Sequence, residues 1–237
     1  MMYLEKIPAN LQAAWQKRVI EICNYLGIYP EWLIWLMNHE SGLDAQAVYK
    51  ASGDSSDGYT RAKTRATGLI GFMPSTAKSL GTSTQDLYLM NELEQLEYVF
   101  KYFKNYAGKL KSVVDLGKVA FFPAMIGKER DWVLHTDSLP AKVVRDANYP
   151  FDLNNDGQIT VGEYEDYYKN KGVEATLAKY GAPFALTGGE SFATTGWERA
   201  IQSGKALKVI VIIAGSAIII YGSVRIYKHY HHRRRAA

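Results

Sequence analysis

The stretch ALKVIVIIAGSAIIIYGSV, from Ala206 to Val224, carries one charge near its start and is otherwise apolar or small. Wound as a helix it places β-branched residues on every face, so it has no polar side to turn to water, and an amphipathic surface helix does not fit it. At about 1.5 Å rise per residue, roughly 20 residues cross the hydrocarbon core of a bilayer. The run spans one if Lys208 and Arg225 extend their stems to the two interfaces. A single-pass transmembrane helix is therefore predicted over 205–227, followed by a basic tail over 228–237, which makes a lipid membrane an expected partner. The opening MMYLEKIPANLQAAWQKRV lacks an uninterrupted apolar core and a small-residue cleavage site, so no export signal is expected there.

The anchor also explains the charge. The net +4 includes Lys205, Lys208, Arg225, Lys228, Arg233, Arg234 and Arg235, seven cations with no acid after residue 204, which leaves −3 for residues 1–204. The cations bracket an apolar segment instead of tiling a folded face, and no nucleic-acid partner is expected. Cys23 is the one cysteine, so there is neither an intrachain disulfide nor a cysteine metal site; it reads as a small buried hydrophobe. The 17 Tyr and 5 Trp make the chain aromatic-rich, which suits sugar faces and membrane interfaces as well as a core.

Before the anchor, residues 176–204 mix Gly, Ser, Thr and Ala without periodicity and read as a flexible connector. NLQAAWQKRVIEICNYLG repeats apolar residues at helical spacing (Leu11, Ala14, Trp15, Val19, Ile22, Cys23, Leu26) and is stopped by Gly27. PEWLIWLMNHESG starts on Pro30 and ends at Gly42, as helices do. Helical patterns recur in PSTAKSLG and in MNELEQLEYVFKYFKNYAGKL, where Leu93, Leu96, Val99, Phe100 and Phe103 share a side. No strand-rich stretch occurs before residue 148, so a mainly α fold is expected.

Glu40 closes the second helix, behind Trp32, Leu33, Trp35, Leu36 and Met37. Apolar walls disfavour its charged form, and the negative end of the helix dipole acts in the same direction. A carboxyl still protonated near neutral pH can give a proton to a leaving oxygen. A glutamate at a helix end is otherwise a solvated surface residue.

The Glu40-Ser41-Gly42 step is followed some thirty residues later by Gly68-Leu69-Ile70-Gly71-Phe72-Met73-Pro74-Ser75-Thr76-Ala77. In this order and spacing the two motifs resemble the lytic transglycosylases of the goose-lysozyme-like superfamily, over roughly residues 10–145. The resemblance implies a lysozyme-like helical domain over 1–148, with peptidoglycan glycan strands as partner. It implies cleavage of the β-1,4 bond between N-acetylmuramic acid and N-acetylglucosamine, closing a 1,6-anhydro ring. It implies Glu40 as the single acid and base, the substrate's acetamido group taking the part of a second carboxylate. It places Ser41, Gly68, Leu69, Ile70, Phe72 and Met73 against the glycan. Ser41 either orients Glu40 and meets substrate or caps the helix; the Gly68–Gly71 turn either lets sugar approach the backbone or is simply tight.

Two positions depart from the family pattern. Its glutamine in the second motif is Gly71 here, and its Ala-Tyr-Asn motif is replaced by Phe121-Phe122-Pro123-Ala124, so no hydroxyl is expected there. Tyr98, on the preceding helix, is the sequence's candidate substitute, although its spacing also suits the core.

DLNNDGQITVGEY, residues 152–164, fits a twelve-position EF-hand loop. Asp152, Asn154 and Asp156 supply oxygens, Gly157 makes the sharp turn, Gln158 gives its carbonyl, Ile159 is the apolar eighth residue and Glu163 can give two oxygens. A structural Ca2+ site is expected over 149–175, with EYEDYYKNKG as the outgoing helix; Pro150 argues against a regular incoming one. The combination looks similar to wall-cleaving enzymes carried in the virions of membrane-containing bacteriophages, which would make other virion proteins partners. A bacterial inner-membrane protein is the alternative setting. A non-catalytic peptidoglycan-binding or structural membrane protein is the alternative function, and a calcium-regulated signalling protein is a third.

Overall fold

A computed structural model describes residues 1–186 of the chain. The helix predicted over 205–227, the tail over 228–237 and most of the 176–204 connector lie outside the described residues. Among the described residues no helix is long and apolar enough to cross a membrane.

Among the described residues ten α-helices carry the fold: α1 Gln12–Leu26, α2 Pro30–Ser41, α3 Gly58–Ala62, α4 Pro74–Ser79, α5 Thr84–Leu89, α6 Glu92–Phe103, α7 Val113–Phe121, α8 Ala141–Ala147, α9 Val161–Asn170 and α10 Val173–Ala178. Among the described residues β pairing is confined to isolated bridges, so the fold is mainly α. α2 is the centre. Trp32, Leu33, Ile34, Trp35, Leu36 and Met37 are six consecutive buried residues, and a helix apolar all round is stable only when other elements enclose it. α1, α7 and α10 pack on α2, and α6 packs on α1.

Local chemistry sets the helix ends. Gly27 and Gly42, at φ +73° each, take the left-handed conformation that lets α1 and α2 stop on the next loop. Asn91 caps α6 reciprocally with Glu94: its Oδ1 accepts from the N–H groups of Leu93 and Glu94 at 3.0 Å each, and Glu94 Oε2 accepts from Asn91 N–H at 2.9 Å. Ser112 does the same for α7 with Asp115.

Two expected boundaries shift. Residues 176–186, assigned to the connector, pack on the body: Leu177 is fully buried, Trp32 Nε1 donates to the Pro183 carbonyl at 2.6 Å, and Leu186 N–H donates to Lys111 at 2.7 Å. Gly and Ala composition read as mobile there because the partner is a tryptophan 151 positions away. The segment over 149–175 is also not a separate unit, since Ile159, Val161, Tyr164, Tyr168 and Val173 belong to the same core as Trp35 and Val119. As Pro150 implied, the entry is a 3-10 turn, Tyr149–Phe151, after α8 has ended at Ala147.

Candidate active site

Glu40 sits in the last turn of α2. One face of its side chain is open to solvent, yet protein surrounds the carboxyl on its other sides, and the resulting desolvation lifts its pKa from 4.5 to about 7. Of these two descriptions the surroundings decide the pKa, because water on one face cannot replace the hydration lost on the others. Among the described residues no cation or hydrogen-bond donor holds the carboxyl. Its neighbour His39 stacks on Trp35, centroids 4.9 Å apart, and burial followed by the charge of Lys171 lowers its pKa.

Facing Glu40 is a tight turn. Thr67 and Phe72 exchange backbone hydrogen bonds at 3.0 and 2.9 Å, and the chain reverses through Gly68–Gly71, with both glycines at positive φ, +79° and +63°. A Cβ on Gly71 would lie 3.8 Å from Glu40 Oε2. The position where the resembled family carries an amide thus borders the carboxyl directly, and here it is left empty of side chain.

Gln95, which the sequence reading passed over, holds the turn from beneath. It is fully buried in α6; its Oε1 accepts from Leu69 N–H at 2.9 Å, and its Nε2 donates to the carbonyls of Ala45 at 2.6 Å and Leu87 at 2.7 Å. One amide therefore ties two loops to α5. Any Cβ on Gly68 would come within 2.2 Å of that Oε1, so glycine is required there by space as well as by φ. Ser41 clamps from the other side, its hydroxyl donating to the carbonyls of Met37 at 2.9 Å and Leu69 at 3.1 Å. Its single proton is committed to backbone, which favours the capping alternative over contact with a ligand.

The remaining expected contacts divide. Leu69, Ile70 and Phe72 are buried, so their side chains fill the core and only the backbone of the turn is free to meet a ligand. Met73, 52% exposed, offers its side chain at the edge of the turn. Tyr98 is half-buried, packed on the core with the Lys101 ammonium 4.4 Å from its ring centre, and nothing links it to Glu40. One turn further along α6, Tyr102 donates its hydroxyl proton to the Val119 carbonyl at 2.7 Å, and burial, then the charges of Tyr106 and Glu40, push its pKa up to about 12.

α9 packs two tyrosines against α7. Phe121 stacks flat on Tyr164, 5.3 Å apart at 6°, and Tyr164 donates to the Tyr168 hydroxyl at 3.0 Å. Burial, with Glu40's charge among the further causes, raises both. Tyr168 also lies against Trp35 and His39 of α2. Gly117 in α7 makes the room, since a Cβ there would sit 2.5 Å from the Tyr168 oxygen and 2.9 Å from that of Tyr164. The i, i+4 spacing of the two tyrosines was readable in EYEDYYKNKG, but nothing local aims that face at Glu40.

The loop at 152–163 closes on itself. Asp152 Oδ1 accepts from Asp156 N–H at 3.1 Å and its Oδ2 from Gly157 N–H at 3.2 Å; Asn154 Oδ1 accepts from Asp156 N–H at 2.8 Å. Asp156 Oδ1 accepts from Gln158 N–H at 2.9 Å. Glu163 reaches from the last position back to Leu153 N–H at 3.0 Å. Asn155 and Gly157, at φ +59° and +88°, allow the tight winding. Ile159 is buried, and its carbonyl accepts from Leu134 N–H at 2.8 Å, so residues 132–134 brace the loop. Arg145 Nε lies 2.7 Å from Asp152 Oδ2, and that hydrogen bond leads the causes that lower the Asp152 pKa. Among the described residues no three acidic, histidine or cysteine side chains form a ready cation cluster. The EF-hand set draws instead on an amide and a carbonyl besides its three carboxylates, and in kind and order these oxygens suit a hard divalent ion, with Arg145 as competitor for one of them.

Comparison of the chain with protein-family models, with curated proteins and with solved structures gave no match.

Proposed function

We propose that the chain is a lytic transglycosylase of peptidoglycan, with a lysozyme-like domain in which Glu40 is both acid and base. The observation that carries the reading is a glutamate at a solvent-open position whose carboxyl is desolvated to a pKa of about 7 and has no partner among the described residues. A desolvated glutamate kept for structure alone would be expected to have a cation or a donor beside it. Such a carboxyl is poised to act near neutral pH.

In the proposed reaction the Glu40 proton passes to the glycosidic oxygen as the bond from that oxygen to the anomeric carbon of N-acetylmuramic acid breaks. The muramoyl C6 hydroxyl then bonds to the anomeric carbon, and its proton returns to the Glu40 carboxylate. No water is consumed, and the carboxyl ends as it began. Gly71 leaves the space beside Glu40 open to a sugar ring, and Met73 offers an apolar edge next to it. Ca2+ is assigned to Asp152, Asn154, Asp156, the Gln158 carbonyl and Glu163, where it would supply the positive charge that lets these oxygens converge. The helix over 205–227 would hold the domain at a membrane, in a virion or at the bacterial inner membrane.

The alternative, a domain that binds peptidoglycan without turnover, draws on Gly71 and on Phe121-Phe122, where the resembled family carries polar groups. Mass spectrometry of peptidoglycan digested by the full chain separates the two. Anhydro-muropeptides that vanish with Glu40→Gln support the proposal. Reducing ends would make the protein a hydrolase, and sugar binding without products would leave only the alternative.

A further inference from the structure

Three short backbone segments meet at the turn that faces Glu40. Thr67 pairs with Val48 on one side and with Phe72 on the other, both in antiparallel sense. The residues next to them, Tyr49, Ala66 and Met73, therefore stand in one row, and alternation turns them to the face opposite that of Thr67 and Phe72. Burial agrees with this register: Thr67 and Phe72 are enclosed, whereas Tyr49 is 64% and Met73 52% exposed. Gly71, next to Phe72, belongs to the same outer face. The place a Cβ would take on it lies 3.9 Å from the Ala66 Cβ and 3.8 Å from Glu40 Oε2. The outer face thus has the carboxyl beside it, Ala66 at its centre, and an exposed side chain on either side of Ala66. Against the Tyr49 ring, 5.6 Å from its centre, lies the Arg65 guanidinium, which makes no ion pair among the described residues. Asp54, whose carboxylate senses the Arg65 charge, is itself engaged by Ser56, accepting its N–H at 2.9 Å and its hydroxyl at 2.6 Å.

We propose that Tyr49 and Arg65 form a substrate subsite beside Glu40: the Tyr49 ring takes the apolar face of a sugar in the glycan strand, and the Arg65 guanidinium takes a carboxylate of the peptide that the strand carries on its muramic acid residues. The inference rests on the peptidoglycan reading and deepens it by naming what the site recognises beyond the bond it cleaves. A tyrosine offers a broad flat surface with only two side-chain torsions to fix. A guanidinium holds a carboxylate through two parallel N–H donors, and in Arg65 no protein carboxylate has taken them. The charges are complementary as well. Residues 1–204 carry −3 in all, yet residues 49–66 hold Lys50, Arg61, Lys63 and Arg65 against Asp54 and Asp57, a local excess of cations in an acidic body.

The test is calorimetric binding to the full-length protein in mild detergent, carrying Glu40→Gln so that no ligand is turned over. Two ligands are compared: a peptide-bearing tetrasaccharide of peptidoglycan, and the same compound with its peptide carboxyls converted to amides. The carboxylate form should bind about tenfold tighter, and the difference should shrink as salt is raised. Adding Arg65→Gln should weaken the carboxylate form about tenfold, to the affinity of the amide form, and leave the amide form as it was. Adding Tyr49→Ala should weaken both forms about tenfold, while Tyr49→Phe, which keeps the ring, should keep the affinity. Tyr25→Ala removes an equally exposed ring from α1, 58% exposed against Phe100, and should change neither. Both subsite side chains are exposed, so their loss should leave the Tm of each variant in place. Affinities unchanged by Tyr49→Ala, or an Arg65→Gln effect that is absent or equal for the two forms, overturn the subsite and leave the chemistry at Glu40 standing. A protein that binds neither compound removes the peptidoglycan reading, and the subsite with it.

Discussion

Replacing Gln95 by Met keeps the length and nearly the volume of the side chain, so the surrounding core has no reason to repack. It removes every hydrogen bond the amide makes, to Leu69 N–H and to the carbonyls of Ala45 and Leu87. These backbone groups come from two loops and from α5, whose Leu87 carbonyl also accepts from Met90 N–H, and Gln95 itself is fully buried, so water cannot easily replace the partner lost to Leu69 and Ala45. An orphaned buried donor or acceptor costs about 1–3 kcal/mol. Carbonyls tolerate loss better than an N–H, which puts the sum for the two orphaned groups, Leu69 N–H and the Ala45 carbonyl, at about 2–4 kcal/mol. That is a large part of the roughly 5–15 kcal/mol that keeps a domain folded. For a chain of this size it corresponds to a fall in Tm of about 5–15 °C. Urea and thermal unfolding of the full-length protein in mild detergent, followed by circular dichroism, measure it. A loss below about 1 kcal/mol would refute the reasoning, since the amide would then not be what holds the turn against Glu40.

Other outcomes follow from the same geometry. Glu40→Gln should stabilise the protein in a pH-dependent way. Below about 4.5 the carboxyl is neutral folded and unfolded; as pH rises toward 7 only the unfolded chain ionises, so the wild type loses stability that the amide keeps. The gain should reach on the order of 1–2 kcal/mol above pH 7, less than the full conversion because one face of Glu40 meets water. A gain independent of pH would count against it. Gly117→Ala should destabilise by about 1–3 kcal/mol although alanine is the better helix former, because its Cβ would press on the Tyr164 and Tyr168 oxygens. A neutral or stabilising result in thermal unfolding would show that the recess can yield. Calcium at about 100 times its Kd should raise stability by about 2.7 kcal/mol, and Glu163→Gln should abolish the effect. Titration calorimetry without heat of binding would remove the ion.

What the sequence revealed was local. Gly27, Gly42, Pro30 and Pro74 end or begin helices through their own backbone chemistry, and each does so where its position in the pattern implies. The apolar ring around α2 was legible for the same reason, and with it the desolvation of Glu40. What escaped was tertiary. Gln95 stands in an amphipathic helix at a place where a polar residue reads as solvent-facing, and only the loops at residues 45 and 69 and the end of α5 at Leu87 make it a core group. Tyr98 and Tyr102 lie one turn apart on α6, and periodicity alone cannot tell which of them lies within range of the Glu40 charge. The hydroxyls near the carboxyl come from a segment that the sequence read only as the exit of a calcium loop.

The central claim is that Glu40 keeps its proton near neutral pH because the protein, with no counter-charge, has taken it out of water. Titration of the labelled Glu40 carboxyl carbon in the wild-type protein measures this without any substrate. The account requires a midpoint of about 7. A midpoint near 4.5, the value of a solvated glutamate, would contradict it.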